Sequence, residues 1–363
     1  MRRIGIQYSK PGMVLSQDVF DSYGNMVMNQ GTRLTFDNSS TLSRMGSGEI
    51  FIQDRRVDDV PVTSIMPARL EGEATRQLRA FLDETKDVVN NVLRGKMTAV
   101  INVEKVMYSM ISHLFPAYFG EVNASGCYSL KDYNYVHPVH VASLSIVIGR
   151  KLGLKEDALQ DLGVAALVQN VGYVALAPGM MEEPSSFTAI ELHEVKQHPQ
   201  YGLQILRDYT SLAPLVIETV YQHHERWDGN GYPRGFKGQE ICLASRIIAL
   251  ADTYYALVSR RPHRQANMPG EAIEFLMAYS GELFDPALVQ LFTKLVPLFP
   301  TGISVKLNTG ESGIIIDSKP GLIGRPIVRV CYDKDFKELE DTIDMDLSDS
   351  EHQHRLISEV VDY

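Results

Sequence analysis

A chain of 363 residues, 44% of them hydrophobic, is long enough for two or three domains and for a sizeable buried core. Its formal net charge of −10 argues against broad binding to nucleic acid or to an anionic membrane surface, and an anionic small ligand would need local positive charge or a metal ion to offset that field. No run approaches the roughly 18 apolar residues of a membrane span, and the start MRRIGIQYSKPGM lacks a secretory apolar stretch, so a cytoplasmic protein without a membrane span is expected.

Taken in chain order, the first sixty or so residues carry MVLSQDVFDSYGNMVMNQGTRL, short apolar runs broken by Gly24-Asn25 and Gly31. That pattern predicts hairpins and a small β-containing N-terminal module over residues 1–65. From Arg69 towards Leu114 the residues Leu70, Leu78, Phe81, Leu82, Val88 and Val92 recur at three- and four-residue intervals, which predicts an amphipathic helix with 66–95 as a connector. Such a helix either packs onto its own domain or forms a dimerising hairpin, and a homodimer follows from the second case. Helical periodicity then continues from Tyr133 to about Leu295 through segments such as EDALQDLGVAALVQNVGYVAL, AIELHEVKQHPQYGLQIL and ASRIIALADTYYALV. A helical-bundle domain over 96–300 is expected, with Thr188 and Glu191 spaced as a capping box. After Pro300, ISVKL, SGIIID and PIVRVCYD read as strands with turns at Thr309-Gly310 and Pro320-Gly321, making 301–363 a small β appendage; HRLISEVV near the end reads as a docking helix or a loose tail. The fold class is therefore mainly α with small β parts at both ends. Cys127, Cys242 and Cys331 are odd in number and lack CxxC spacing, so neither a disulfide framework nor a thiolate metal site is expected.

Seven of the ten histidines fall between residues 137 and 263. His137, His198 and the pair His223-His224 lie in or beside apolar helical runs, and Asp252 interrupts another. An ionised carboxylate is seldom buried without a cation or hydrogen-bonding partners. Imidazoles and a carboxylate from different helices can converge on a metal in a bundle core. Straight after the paired histidines, HHERWDGNGYPRG packs glycines into a tight loop where backbone can approach a ligand closely. Arg260, Arg261, His263 and Arg264 cluster further on, and guanidinium groups suit phosphate binding or stacking on a base. One feature fits none of this: the amide pair Gln169-Asn170 interrupts the otherwise apolar helix predicted across ALVQNVGYVAL.

The ordered elements YNYVHPVHVA, LVQNVGYVAL, HPQYG, HHERWDGNGYPRG, LADTYYAL and RRPHR resemble the HD-GYP domain family, metal-dependent phosphodiesterases of bacterial signalling that hydrolyse cyclic di-GMP. The resemblance covers roughly residues 96 to 300. It implies that His137, His198, His223, His224 and Asp252 are metal ligands, that Gly231 and Tyr232 of GYP contact the ligand, and that Arg261 and Arg264 hold it. The metal implied is a divalent transition ion, iron or manganese ahead of zinc. The family's namesake His-Asp pair falls on Gln169 and Asn170, its following lysine on Tyr173, and an acidic ligand found in some members on Tyr133.

These departures bear on mechanism. In two-metal phosphodiester hydrolysis the two ions polarise the phosphoryl group and supply hydroxide, and by the resemblance the missing Asp bridges them. Asn170 keeps nearly the same size but is neutral, with one acceptor oxygen and a donating NH2. Three readings follow: a catalytically degenerate protein that binds cyclic di-GMP or a partner protein as sensor or scaffold; a weak or atypical phosphodiesterase; and a purely structural interaction module. A single bound ion, rather than a full two-metal site, is expected.

Overall fold

The computed structural model describes residues 1–21, 23, 25–45, 49–62, 65–93, 132–177, 180, 187–259, 267–319 and 321–361. Strand β1 (Arg2–Gly5) pairs antiparallel with β4 (Glu49–Ile52), and β2 (Val19–Phe20) with β3 (Met26–Met28). The β2–β3 connection is an Asx turn in which the Asp21 carboxylate accepts from the backbone N–H groups of Tyr23 and Asn25 at 2.9 and 2.8 Å. Between β3 and β4 lies a helix the hydrophobic pattern does not announce, α1 (Phe36–Arg44). It starts where the Thr35 side chain accepts from Asn38 N and buries Leu42 alone, so it follows capping chemistry rather than periodicity.

The predicted connector is α2 (Ala68–Leu93). Ala74, Leu78, Phe81 and Val88 form its buried face, and that face packs onto the chain's own bundle. Arg79 fixes the crossing: its guanidinium donates to Asp132 at 2.5 Å and lies 3.8 Å from the Tyr135 ring centroid.

In the bundle, α3 (Tyr133–Lys151) is buried at every residue from Val136 to Gly149. A helix apolar on all sides belongs in the centre, and α4 (Glu156–Val168) and α8 (Leu243–Val258) pack against it. Around them stand α5 (Ala189–Val195), α6 (His198–Tyr209), α7 (Pro214–Gln222), α9 (Pro269–Ala278) and α10 (Pro286–Leu295). Proline in the first turn starts α6, α7, α9 and α10, where its missing N–H costs nothing. Thr188 and Glu191 form the expected capping box on α5.

Three expectations need correction. Gln169 and Asn170 are not inside a helix: α4 ends at Val168, Gln169 is its C-cap, and a 3-10 turn runs over Val171–Ala175. The break brings Gly172 against the start of α6, an approach that a continued helix would not make. Likewise AIELHEVKQHPQYGLQIL is two helices, because Pro199 cannot continue the ladder from α5. Near the end, neither a helix nor a loose tail is found. Residues Glu338–Asp346 form β8 and Ile357–Val360 form β9, the edges of an antiparallel sheet ordered β8-β7-β6-β5-β9 with β5 (Ser304–Leu307), β6 (Ser312–Asp317) and β7 (Ile327–Tyr332). The β-branched Ile357 and Val360 suit a strand, and Ile357 packs on the Val305, Leu307 and Val330 cluster.

The β elements from the two ends of the sequence pack together. Arg2 Nε donates to Ser304 Oγ at 3.1 Å, Arg329 reaches Asp59 at 2.6 Å, and Val57 and Val60 share a cluster with Ile314 and Cys331. No described helix is long and apolar enough to cross a membrane.

Candidate metal and ligand site

The site forms where α6 begins, α7 ends and the centre of α8 passes beneath. Because Pro199 sets the first turn of α6, His198 stands at the helix start, where its Nδ1–H donates to Val195 O at 2.7 Å. At the end of α7, His223 is the C-cap, and its Nδ1–H donates to Val220 O at 2.6 Å. A carbonyl can only accept, so both rings carry the proton on Nδ1 and present a bare lone pair on Nε2. Burial, with the neighbouring His223 charge, pushes the His198 imidazole down to about 3, and burial lowers His223 as well. Both are neutral at ordinary pH, yet their Nε2 atoms face each other at 3.2 Å.

Two lone pairs at that distance repel unless something positive lies between them. His224 completes the set, with one donor nitrogen from each ring within 4.8 Å of the others. Burial and then the adjacent His223 and His198 hold its ring well below the usual imidazole value. The three rings lie 4.1 to 5.2 Å apart by centroid. Neutral imidazoles in the ligand tautomer, with Nδ1 of two of them held by carbonyls, fit one divalent transition metal.

His137 and Asp252 form a pair beside this cluster, with Asp252 near enough to act electrostatically on all three imidazoles. His137 Nε2 donates to Asp252 Oδ1 at 2.7 Å, and Gln169 Nε2 donates to the same oxygen at 3.1 Å. Burial works to raise the Asp252 carboxyl, and the His137 hydrogen bond and charge outweigh it, so the net value falls below the usual carboxylate range. The remaining atoms, His137 Nδ1 and Gln169 Oε1, are buried with no hydrogen-bond partner. His137 is therefore turned the opposite way from His198 and His223: it spends its Nε2–H on a carboxylate, and no described group accepts from or donates to Nδ1. The Tyr133 ring stacks on His137 at 4.7 Å. Tyr173 lays its ring 4.3 Å from His198, an aromatic wall against the cluster.

Over the cluster folds the loop of HHERWDGNGYP. Tyr232 stacks on His224 at 4.8 Å, and burial together with the Asp252 charge raises its phenol above the usual value. Its position is set by two features. A Cβ on Gly231 would lie 2.3 Å from Arg226 N and 2.6 Å from Glu225 Cα, so only glycine permits this crossing. The carboxylate of Glu225, 3% exposed, accepts from Arg234 N at 2.7 Å and Phe236 N at 3.1 Å and clasps the far side of the loop. Beyond Tyr232, Lys196 places its ammonium 5.6 Å from the phenol ring centroid. Arg261 and Arg264 lie outside the described residues.

Three contributors escape the sequence reading. Glu225 looks like an ordinary surface carboxylate in a polar loop, Lys196 like a helix-end cation, and Gly172 like one more small residue. A buried backbone contact cannot be read from a single glycine. A Cβ on Gly172 would sit 1.9 Å from His198 O, so the 3-10 turn that follows Asn170 lies directly on the backbone that holds His198.

Comparison with known proteins identifies the family. A family model described as the HD domain matches residues 105–288, just over half of the chain. A cyclic di-GMP phosphodiesterase of Pseudomonas aeruginosa is 33% identical over 201 residues, covering 55% of this chain and 48% of that protein. Another cyclic di-GMP phosphodiesterase, of Thermotoga maritima, is 36% identical over 160 residues and 44% of each chain. The chain thus spans about half the length of the curated relatives it matches. Among solved structures, an HDG"Y"P protein from Bdellovibrio bacteriovorus is 16% identical with a TM-score of 0.47, covering 80% of this chain and 97% of that one. The chain belongs to the HD domain family, in its HD-GYP branch.

Proposed function

We propose that this chain is a degenerate HD-GYP protein that binds cyclic di-GMP, or a partner protein, as a sensor or scaffold in bacterial signalling. It retains one divalent metal, iron or manganese ahead of zinc, on His198, His223 and His224. The observation that carries this reading is the use of Asp252. His137 and Gln169 both donate to Oδ1, which takes up one of the two carboxylate oxygens that a second ion would draw on. Asn170 adds to it, since a neutral amide neither bridges two cations nor offsets their charge.

When bound, the single ion supplies a Lewis acid for a phosphoryl oxygen. The chain's residues do the rest: His198 and His223 hold Nδ1–H on backbone carbonyls and keep Nε2 free, and Tyr232 presents an aromatic face on which a base can stack. Without a second ion, activation of water in the two-metal manner is lost. The retained histidine cluster favours a second reading, slow hydrolysis at a one-metal site.

Incubating purified, metal-loaded protein with cyclic di-GMP and Mn2+ or Fe2+, and following pGpG and GMP, tests both. Binding by calorimetry without product supports the degenerate reading. Turnover at ordinary enzyme rates, on the order of 1 per second or more, would sink it. Neither binding nor metal would leave a structural module.

A further inference from the structure

We propose that the groove between α2, the start of α3 and the turn after α4 is a nucleobase pocket, taking the heterocycle of a nucleotide. Its volume is about 460 Å3, within the roughly 300–1,000 Å3 of small-molecule sites. Asn90, Asn134 and Asn170 line it from three different elements. None of these three amides is hydrogen-bonded to a described residue, although a carboxamide offers two donors and an acceptor in one plane. That pattern complements the edge of a heterocyclic base, the same chemistry by which asparagine reads adenine.

Charge points the same way. Lys86 and Asp83 both line the groove, so its walls carry no net charge and favour a neutral ring over a phosphate. Leu82, Val89 and Val171 give the lining an apolar part that suits the faces of a flat ring. Tyr173 lines the groove and also lies 4.3 Å from His198, so a base seated here has the histidine cluster one aromatic side chain away. For a cyclic dinucleotide spanning groove and cluster, the inference rests on the preceding reading; for the pocket itself it does not. The exchange of a carboxylate for an amide at residue 170 thereby contributes a base-reading group as well as removing a charge.

The test is calorimetric titration of the full chain, metal-loaded and metal-free, with guanosine 5′-monophosphate, adenosine 5′-monophosphate and ribose 5-phosphate. At least one nucleotide should bind with or without metal, and ribose 5-phosphate should not. Asn90→Ala with Asn134→Ala should weaken the nucleotide at least about tenfold, the scale of one lost base-edge pairing. Asn90 is exposed on α2, so Asn90→Ala alone provides a variant that keeps the fold. Equal binding of all three ligands, no nucleotide binding, or unchanged affinity in the folded variants would overturn the pocket. Nucleotide binding without cyclic di-GMP binding would leave the pocket and remove the preceding reading. Cyclic di-GMP binding that is indifferent to Asn90 and Asn134 would do the reverse.

Discussion

Replacing Gly172 with alanine should damage the histidine cluster without touching any histidine. The new Cβ would stand 1.9 Å from His198 O, 2.7 Å from Gly202 N and 2.8 Å from His198 C. An ordinary carbon contact is about 3.5 Å, so the 3-10 turn and the start of α6 must separate by roughly 1.6 Å. All three obstacles are backbone atoms, and no rotamer change relieves them. Overpacking costs about 1–3 kcal/mol, and a purely backbone clash belongs at the upper end. The smaller unfolded-state entropy of alanine returns about 0.4–1 kcal/mol. A net loss of about 2 kcal/mol lowers Tm by about 4–8 °C in a domain of this size.

The larger effect falls on metal binding. His198 Nε2 must keep its 3.2 Å relation to His223 Nε2, and metal–ligand distances tolerate about 0.2 Å. Affinity should fall by at least the roughly 10–100-fold that follows loss of a supporting partner. Scanning calorimetry of metal-free protein measures the first effect, and Mn2+ titration with elemental analysis the second. A variant with unchanged Tm and unchanged metal affinity would refute the argued contact.

Other outcomes follow from the same geometry. Glu225→Ala strands the N–H groups of Arg234 and Phe236, at about 1–3 kcal/mol each, and should abolish ligand binding at Tyr232 while leaving metal content intact; metal analysis beside ligand titration separates the two. For His198, the folded value of about 3 lies below the unfolded 6.5, so its contribution to stability is complete above pH 6.5 and is lost as pH falls towards 3. Metal-free protein should therefore lose up to about 1.4 kcal/mol per pH unit across that window through this group, and His198→Gln should flatten the slope in denaturant titrations. Combining Gln169→His, Asn170→Asp and Tyr173→Lys should raise metal content towards two ions per chain and introduce cyclic di-GMP hydrolysis; unchanged metal content would show that these positions are not where ligands belong.

Much of the bundle was legible because helical periodicity, proline-led starts and the Thr188–Glu191 capping box are local signals. The histidines were legible too, since imidazoles beside apolar helical runs and an aspartate within one are costly without a purpose. What could not be read were relations between elements. By periodicity alone Gln169 interrupts a helix, whereas in the fold the helix breaks after Val168 and the Gln169 amide turns to Asp252. Glu225 is polar in sequence and buried in space, because the acceptors it supplies go to backbone groups nine and eleven residues away. Strand β9 was missed because four residues show no periodicity of their own; their partner is β5, some fifty residues earlier.

The central claim is a site with one ion in place of two, and anomalous scattering from a metal-loaded crystal tests it most directly. The account predicts a single peak per chain, within bonding distance of His198, His223 and His224, with His137 and Gln169 still donating to Asp252. A second peak coordinated by Asp252 and His137 would contradict it.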